Sequence, residues 1–542
     1  MKNGRRIQTE NAQPAPAFIA VAATGVLLAA TSTFAASGTW QNVPPVDSDW
    51  ANTANWTNGT IAGGTLSGNN ATDAASTDTV TFRNTGLNVT TVLPDANRYI
   101  GSILFDNTTP GKMAGSYMIG EAGGNTLYLA GNASGTATGG ATQANVFFRF
   151  VGPLSLLANY TFSSNGVAGD TMTLEGPITN AAAGSPTLFL KGSNTDANTV
   201  SGTISDGTNA TRLSKLGTGA WYVSGSNTYT GTTTVSQGLL SINSLNNVGV
   251  ASSLGKGAAA ATNISLAGGT LQYTGGATST NRLFSIAASS TLDASGTGAI
   301  TFTAAGSYGN TGANSTRVIT LTGSNTDNNT LSGVFKDSLT GTYNTSISKT
   351  GGGTWVLAGA NQYTGITTVS DGTLVLAAAN AIANSAAVNV TGGTLASNIA
   401  STNLGGDLSM NGGGLSPNGS LAGTFALAAG KNFSMSGGTW FETLGNTAFD
   451  AITSGGGATF GISGGVLDLT GSTINYASSY NILAGFGSGS VAGLSITGYD
   501  TAHYDAALSN TGVLSFTPAP EPASLAILAL GGIGLLKRRR SR

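Results

Sequence analysis

Residues 215–240 read KLGTGAWYVSGSNTYTGTTTVSQGLL, and residues 349–374 read KTGGGTWVLAGANQYTGITTVSDGTL. Aligned without a gap at an offset of 134, they agree at 15 of 26 positions. Just upstream, Gly192-Ser-Asn-Thr-Asp196 matches Gly323-Ser-Asn-Thr-Asp327 at an offset of 131, so the three-residue difference falls in the loop between. Duplication of this depth exceeds what shared composition produces, and it marks a chain assembled from stacked units.

Within the unit, Val235 and Leu240, like Val369 and Leu374, have the spacing of inward residues on either side of a glycine corner. Trp221 and Trp355 are expected to cover the same face in each copy. Asn227 and Asn361 are expected to cap a corner, because an Asn side chain bonds readily to nearby backbone. With Tyr229 and Tyr363 they form a signature that reads as structural and needs no ligand. Shorter units echo the pattern: Ser265-Leu-Ala-Gly-Gly-Thr-Leu271, Asn389-Val-Thr-Gly-Gly-Thr-Leu395, Ser434-Met-Ser-Gly-Gly-Thr-Trp440 and Gly461-Ile-Ser-Gly-Gly-Val-Leu467. Each reads as a short strand, a glycine turn where a Cβ would clash, and a second strand. Units of about 20 residues are the pattern of a solenoid.

Composition agrees. Of 542 residues, 81 are Gly and only 8% are charged, while 40% are hydrophobic and spread in short pieces. A disordered chain would lack those regular Val, Leu, Ile and Phe residues. Many short strands joined by tight turns account for both facts. Cysteine is absent, which excludes disulfides and thiolate metal sites. Eight of the 21 basic residues lie in the two termini, leaving 13 against 21 acids between positions 37 and 519. A body of this mildly acidic charge argues against nucleic-acid binding.

The ends read as addresses. Lys2, Arg5 and Arg6 precede an apolar run from Phe18 to Ala30, and small residues follow, so a cleaved secretory signal ending at Ala35 or Ala36 is expected. At the other end, Pro520-Glu521-Pro522 is followed by an apolar stretch, Ala523–Leu536, and a basic stop at Lys537, Arg538, Arg539 and Arg540. The prolines keep the tripeptide extended, and the basic cluster holds the far end of a short membrane helix on the cytoplasmic side. Fourteen residues fall short of the about 20 that a stable span needs, which fits a removable anchor.

This three-part tail resembles the PEP-CTERM sorting signal. The resemblance implies an exosortase-type processing enzyme as partner, attachment to the inner membrane by the tail before processing, and export associated with exopolysaccharide. The duplicated unit resembles the autotransporter-associated β-strand repeat, at 213–242 and 347–376. Its pattern, Lys-x-Gly-x-Gly-x-Trp, Gly-x-Asn-x-Tyr-Thr-Gly and Thr-x-Val-x-x-Gly-x-Leu, is matched throughout by both copies. That resemblance implies a right-handed β-helix like that of autotransporter passengers. The C-terminal sequence lacks the alternating strands of a membrane β-barrel, so sorting through the tail is expected in place of autotransport.

Catalytic constellations are hard to find. His503 is the sole histidine, which leaves no His-based zinc site and few ways to build a His-dependent nucleophile. Paired carboxylates could serve a lyase or glycosidase, but Asp47, Asp49, Asp196, Asp327, Asp371 and Asp450 show no clustering in sequence. Trp40, Trp50 and Trp56 read as a capping cluster, with carbohydrate binding as the lesser alternative. No catalytic, cofactor or metal residue is assigned, and calcium at the Asn- and Asp-rich corners stays open.

The expected fold is all-β: an elongated right-handed parallel β-helix, with a signal helix before it and a short membrane helix after it. Its divisions are a signal peptide (1–36), an aromatic-rich cap (37–106), the β-helix (107–439), a C-terminal β region (440–517) and the sorting tail (518–542). The expected function is a non-enzymatic structural or adhesive protein of the cell surface or extracellular matrix. A polysaccharide lyase or glycoside hydrolase is the alternative.

Overall fold

The computed structural model describes residues 37–520 except 42–48, 60, 63, 66–77, 84–88, 106–115, 131–134, 140–145, 167, 312–314, 339–342, 420 and 446–447. The expected signal and membrane helices lie outside the described residues. What is described is all-β, a parallel solenoid of about 15 turns. Helix is confined to short 3-10 turns such as Thr53–Asn55 and Ala261–Asn263. Among the described residues no helix is long and apolar enough to cross a membrane.

Three parallel ladders wind around one core. The longest runs through seventeen strands, from Thr90–Val92 to Ser488–Val491, each paired with the strands one coil before and one coil after. A second ladder of eleven strands runs from Gly38–Gln41 to Gly309–Asn310. Bridges at Lys336–Gln362 and Ile382–Leu404 carry it on to four strands from Ser401–Leu404 to Leu483–Ala484. The third side has five strands ending at Ile178–Asn180, of which the first, Gly64–Thr65, pairs antiparallel, then ten parallel strands from Thr278–Thr280 to Ser495–Thr497. Coils vary in length: Ile204 and Asn227, bonded across one coil boundary, are 23 residues apart, whereas Ile300 and Asn329 are 29 apart.

Alternation decides which residues face in. In Thr373–Leu376, Leu374 and Leu376 are buried while Thr373 and Val375 are half-buried. In-register pairing then stacks inward residues into columns. One column runs Trp221, Leu240, Leu271, Leu292, Leu321, Lys349, Val369, Val390 and Met410. Every coil thus buries aliphatic surface against its neighbours, and no single coil could do so alone.

The repeat copies do not occupy equivalent places. In the first, Lys215 ends a strand of the eleven-strand ladder and Trp221 lies in the seventeen-strand ladder. In the second, Lys349 lies in the seventeen-strand ladder and Trp355 in the ten-strand one. The expectation that the two tryptophans cover one face is therefore corrected: they stand on different sides. Coils between the copies gain a third strand, as at Thr278–Thr280 and Ile300–Phe302, so the 134-residue offset is not a whole number of coils.

Aromatic residues fill both ends of the core. Trp40, Trp50 and Trp56 are buried together, with Trp40 edge-on to Trp56 at 5.2 Å and Trp50 at 5.4 Å from Trp56. Trp40 and Trp50 also pack on Phe82, and with all three rings buried none is presented for a carbohydrate. At the far end, Tyr480–Asn481, Val513–Pro518 and Tyr504–Leu508 pair antiparallel, and Tyr476, Tyr480 and Tyr499 pack on Phe516.

Candidate functional site

The repeat signature converges on its corners. Lys215 and Lys349 are buried in inward columns where neighbours are Leu or Val. Their aliphatic stems continue the column, and each ammonium turns to a ring of carbonyl oxygens. Lys215 Nζ donates to Leu216, Gly217 and Gln237 at 2.8, 2.7 and 3.1 Å. Lys349 Nζ donates to Thr350, Gly351 and Asp371 at 2.8, 2.5 and 3.0 Å. Three N–H groups meet three acceptors, closing two successive turns with one side chain. Burial pulls both ammonium groups down to about 8.

Asn227 and Asn361 work between three coils. Asn227 Oδ1 accepts from Ile204 N at 2.7 Å in the preceding coil, and Nδ2 donates to Ser253 O at 2.8 Å in the next. Asn361 does the same with Phe335 N and Ala381 O, both at 2.8 Å. An amide suits this place because one neighbour is a donor and the other an acceptor. Tyr229 and Tyr363, also buried, bond Thr233 and Thr367 at 2.7 and 2.6 Å. Trp221 and Trp355 donate their indole N–H to Lys191 O and Thr322 O at 3.0 and 2.8 Å.

Sequence reasoning passed over several partners. Asp206 accepts from Thr230 N and Oγ1, and Asp337 accepts from Thr364 N and Oγ1. Asn198 and Asn329 are buried, accept from Met172 N and Ile300 N, and donate to Ala220 O and Thr354 O. Both pairs sit 131 residues apart, the offset of the Gly-Ser-Asn-Thr-Asp match, so extending that alignment a few residues would have found them.

The carboxylates considered for catalysis are dispersed. The Asp196 and Asp327 carboxylates accept from the side-chain Nδ2 of Asn194 and Asn325, whose Oδ1 atoms accept from the Asp196 and Asp327 backbone N–H groups, and Asp196 also accepts from Gly169 N one coil earlier. Asp49 accepts from Ala51 N, and Asp371 from Gly372 N. Asp47 lies outside the described residues. His503 is exposed and pairs with Asp500 at 2.8 Å, a contact that lowers the Asp500 carboxyl. Asp450 is buried and stands near Glu442, which the sequence did not single out. Among the described residues no three His, Asp or Glu side chains gather to hold a metal. Pro520 is exposed at the end of the described chain; Glu521, Pro522, Lys537–Arg540, Ala35 and Ala36 lie outside it.

Outward positions are polar, small and largely uncharged. On the longest ladder, Thr320, Ser348, Thr368, Asn389, Ser409, Ser434, Gly461 and Ser490 follow one another in register over eight coils. Over the last three of these coils an open groove of about 450 Å³ is lined by Asn432, Ser434, Thr459, Ser488 and Ser490.

Comparison with known proteins picks out the same corners. The passenger-associated-transport-repeat family matches residues 213–242 and 347–376. The PEP-CTERM protein-sorting motif matches residues 518–541. Over 148 residues, 26% of this chain, the sequence is 32% identical to the adhesin BmaC autotransporter of Brucella suis biovar 1 (strain 1330). The match spans 4% of that much longer protein. Together, repeat and sorting motif indicate export to the cell surface, and a PEP-CTERM motif implies processing by an exosortase-type enzyme.

Proposed function

We propose that this chain is a non-enzymatic spacer and adhesin of the cell surface or extracellular matrix. Its tail, Pro520-Glu521-Pro522 with Ala523–Leu536 and Lys537–Arg540, holds it at the inner membrane until an exosortase-type enzyme releases it. Once outside, its polar faces engage exopolysaccharide through many weak hydrogen bonds. The observation that carries this reading is the division of labour along the solenoid. The repeat residues are spent on buried corners, while eight successive coils present an uncharged row from Thr320 to Ser490. The one close pairing of buried carboxyl groups noted above, Glu442 with Asp450, is closed to a substrate by its burial, which weighs against the hydrolase alternative.

Two measurements test it. Fractionating cells that carry Pro520→Ala, Glu521→Ala and Pro522→Ala together is expected to show retention at the inner membrane; unchanged delivery sinks the sorting route. The purified body is expected to sediment with the cell's own exopolysaccharide. Failure to do so, with unchanged aggregation in a deletion strain, sinks the adhesive role.

A further inference from the structure

The segment from Phe441 to Asp450 carries a pair of carboxyl groups that the corner chemistry does not explain. Glu442 is 2% exposed, and neither of its carboxyl oxygens has a hydrogen-bond partner. Its backbone is fixed, with N–H donating to Asp468 O at 2.9 Å and the carbonyl accepting from Ser472 Oγ at 3.1 Å. Asp450 is as deeply buried, but each of its oxygens has an amide: Gly423 N at 2.6 Å and Thr443 N at 2.8 Å. Asp450 therefore ties Gly423 to Thr443, the residue after Glu442. Thr443 Oγ1 adds a second tie, to Gly419 O at 3.1 Å.

A buried carboxylate without a donor is among the most unfavourable groups a protein can hold, so Glu442 keeps its proton. Burial is the main cause, and the charge of Asp450 the second, holding Glu442 well above the usual carboxyl range. Asp450 itself is pushed up to about 6 by burial, against the pull of its amides. Asp450 is the charged group that bears on Glu442. Asp468, on the next coil, offers it only a backbone carbonyl and turns its own carboxylate to Thr470 N and Oγ1.

The geometry points to an acid-set latch in the closing coils: with Glu442 protonated the ties of Asp450 and Thr443 to Gly423 and Gly419 hold, and with both carboxyls charged they loosen. The folded chain holds protons that the unfolded chain releases at ordinary carboxyl values, so the contribution of this pair to stability falls as pH rises past that range, through about 6 and beyond. None of this depends on the sorting or adhesive reading.

Hydrogen–deuterium exchange of the full chain at about pH 5 and about pH 7.5, corrected for intrinsic rates, tests the latch. Opening of 442–452 is expected to rise at least roughly tenfold at the higher pH, the effect of one pKa unit, while 215–240 stays protected. Glu442→Gln is expected to remove most of that rise. Glu442→Leu, which keeps the site filled and apolar, gives the same reading should the glutamine variant fail to fold. A wild type with no pH dependence, or either variant with the wild-type dependence, overturns the proposal. So does protection of 442–452 by calcium at about pH 7.5, which would make the pair a cation site.

Discussion

Trp221 and Trp355 hold the same place in the repeat yet stand on different sides of the solenoid, one in the seventeen-strand ladder and the other in the ten-strand ladder. Each is buried and sends its indole N–H to a carbonyl about one coil earlier, Lys191 O or Thr322 O. What the repeat encodes is thus a corner with its two flanking strands, free to be placed at any edge of the coil. Trp221→Ala and Trp355→Ala are then expected to destabilise alike, by about 3–5 kcal/mol, from lost packing and the cavity left behind. Denaturant titration of the purified body checks this; a large cost on one side only would tie the motif to a face.

The buried lysines give a second expectation. Lys215→Met and Lys349→Met keep the aliphatic stem but leave three carbonyls without a donor, for a loss of about 1–3 kcal/mol each. Their pH dependence runs opposite to that of the Glu442 pair. With folded values of about 8 against the ordinary lysine value of 10.5, the folded chain releases these protons first, so stability gains as pH rises through that window. Subtracting the double variant's melting profile from that of wild type should isolate this rise. A flat difference would show that the three carbonyls hold the ammonium fully charged.

The sequence carried much of this architecture because its inward rows are monotonous. Val235, Leu240, Val369 and Leu374 follow the spacing of strands flanking a corner, and all four are buried. Less visible was the phase of the coils. Strands such as Thr278–Thr280 are short and polar, so no hydrophobic pattern announces that they add a side and shift the second repeat by one ladder. Lys349 was legible as part of a motif but not as a core residue, since a charged side chain in an aliphatic column is recognisable only when the carbonyls around its tip are in place. Glu442 has no repeat partner to draw attention to it, and its burial against Asp450 arises from contacts between neighbouring coils.

Glycine positions in one triplet separate backbone need from mere composition. At Gly353 an added Cβ would fall 2.5 Å from Asn325 O, and at Gly351 the backbone has φ +66° with Gly323 atoms at 3.0 Å. At Gly352 nothing lies within 4 Å. Gly353→Ala is expected to lower stability by more than about 2 kcal/mol, whereas Gly352→Ala should stay within about 0.5 kcal/mol. Paired melting curves decide it, and equal effects would mean that coils slide apart easily at this corner.

The amide character of Asn227 and Asn361 makes the last expectation specific in sign. In Asn227→Asp, one oxygen can still accept from Ile204 N, but the other is set against Ser253 O where Nδ2 donated. Buried against a carbonyl, the new carboxyl retains its proton and donates that hydrogen bond, so its folded value rises above the about 3.9 of an unfolded Asp. The variant should therefore approach wild-type stability in acid and lose it progressively as pH rises above about 4, by about 2 kcal/mol or more at neutrality. Asn361→Asp, set against Ala381 O, should behave in the same way. Asn227→Ala, which loses both bonds at every pH, should be destabilised throughout. Unfolding midpoints of the three variants at about pH 4 and about pH 7 distinguish these cases. If the aspartate variants were no more pH-dependent than the alanine variant, water must reach the corner, and the amide would be one satisfactory choice among several.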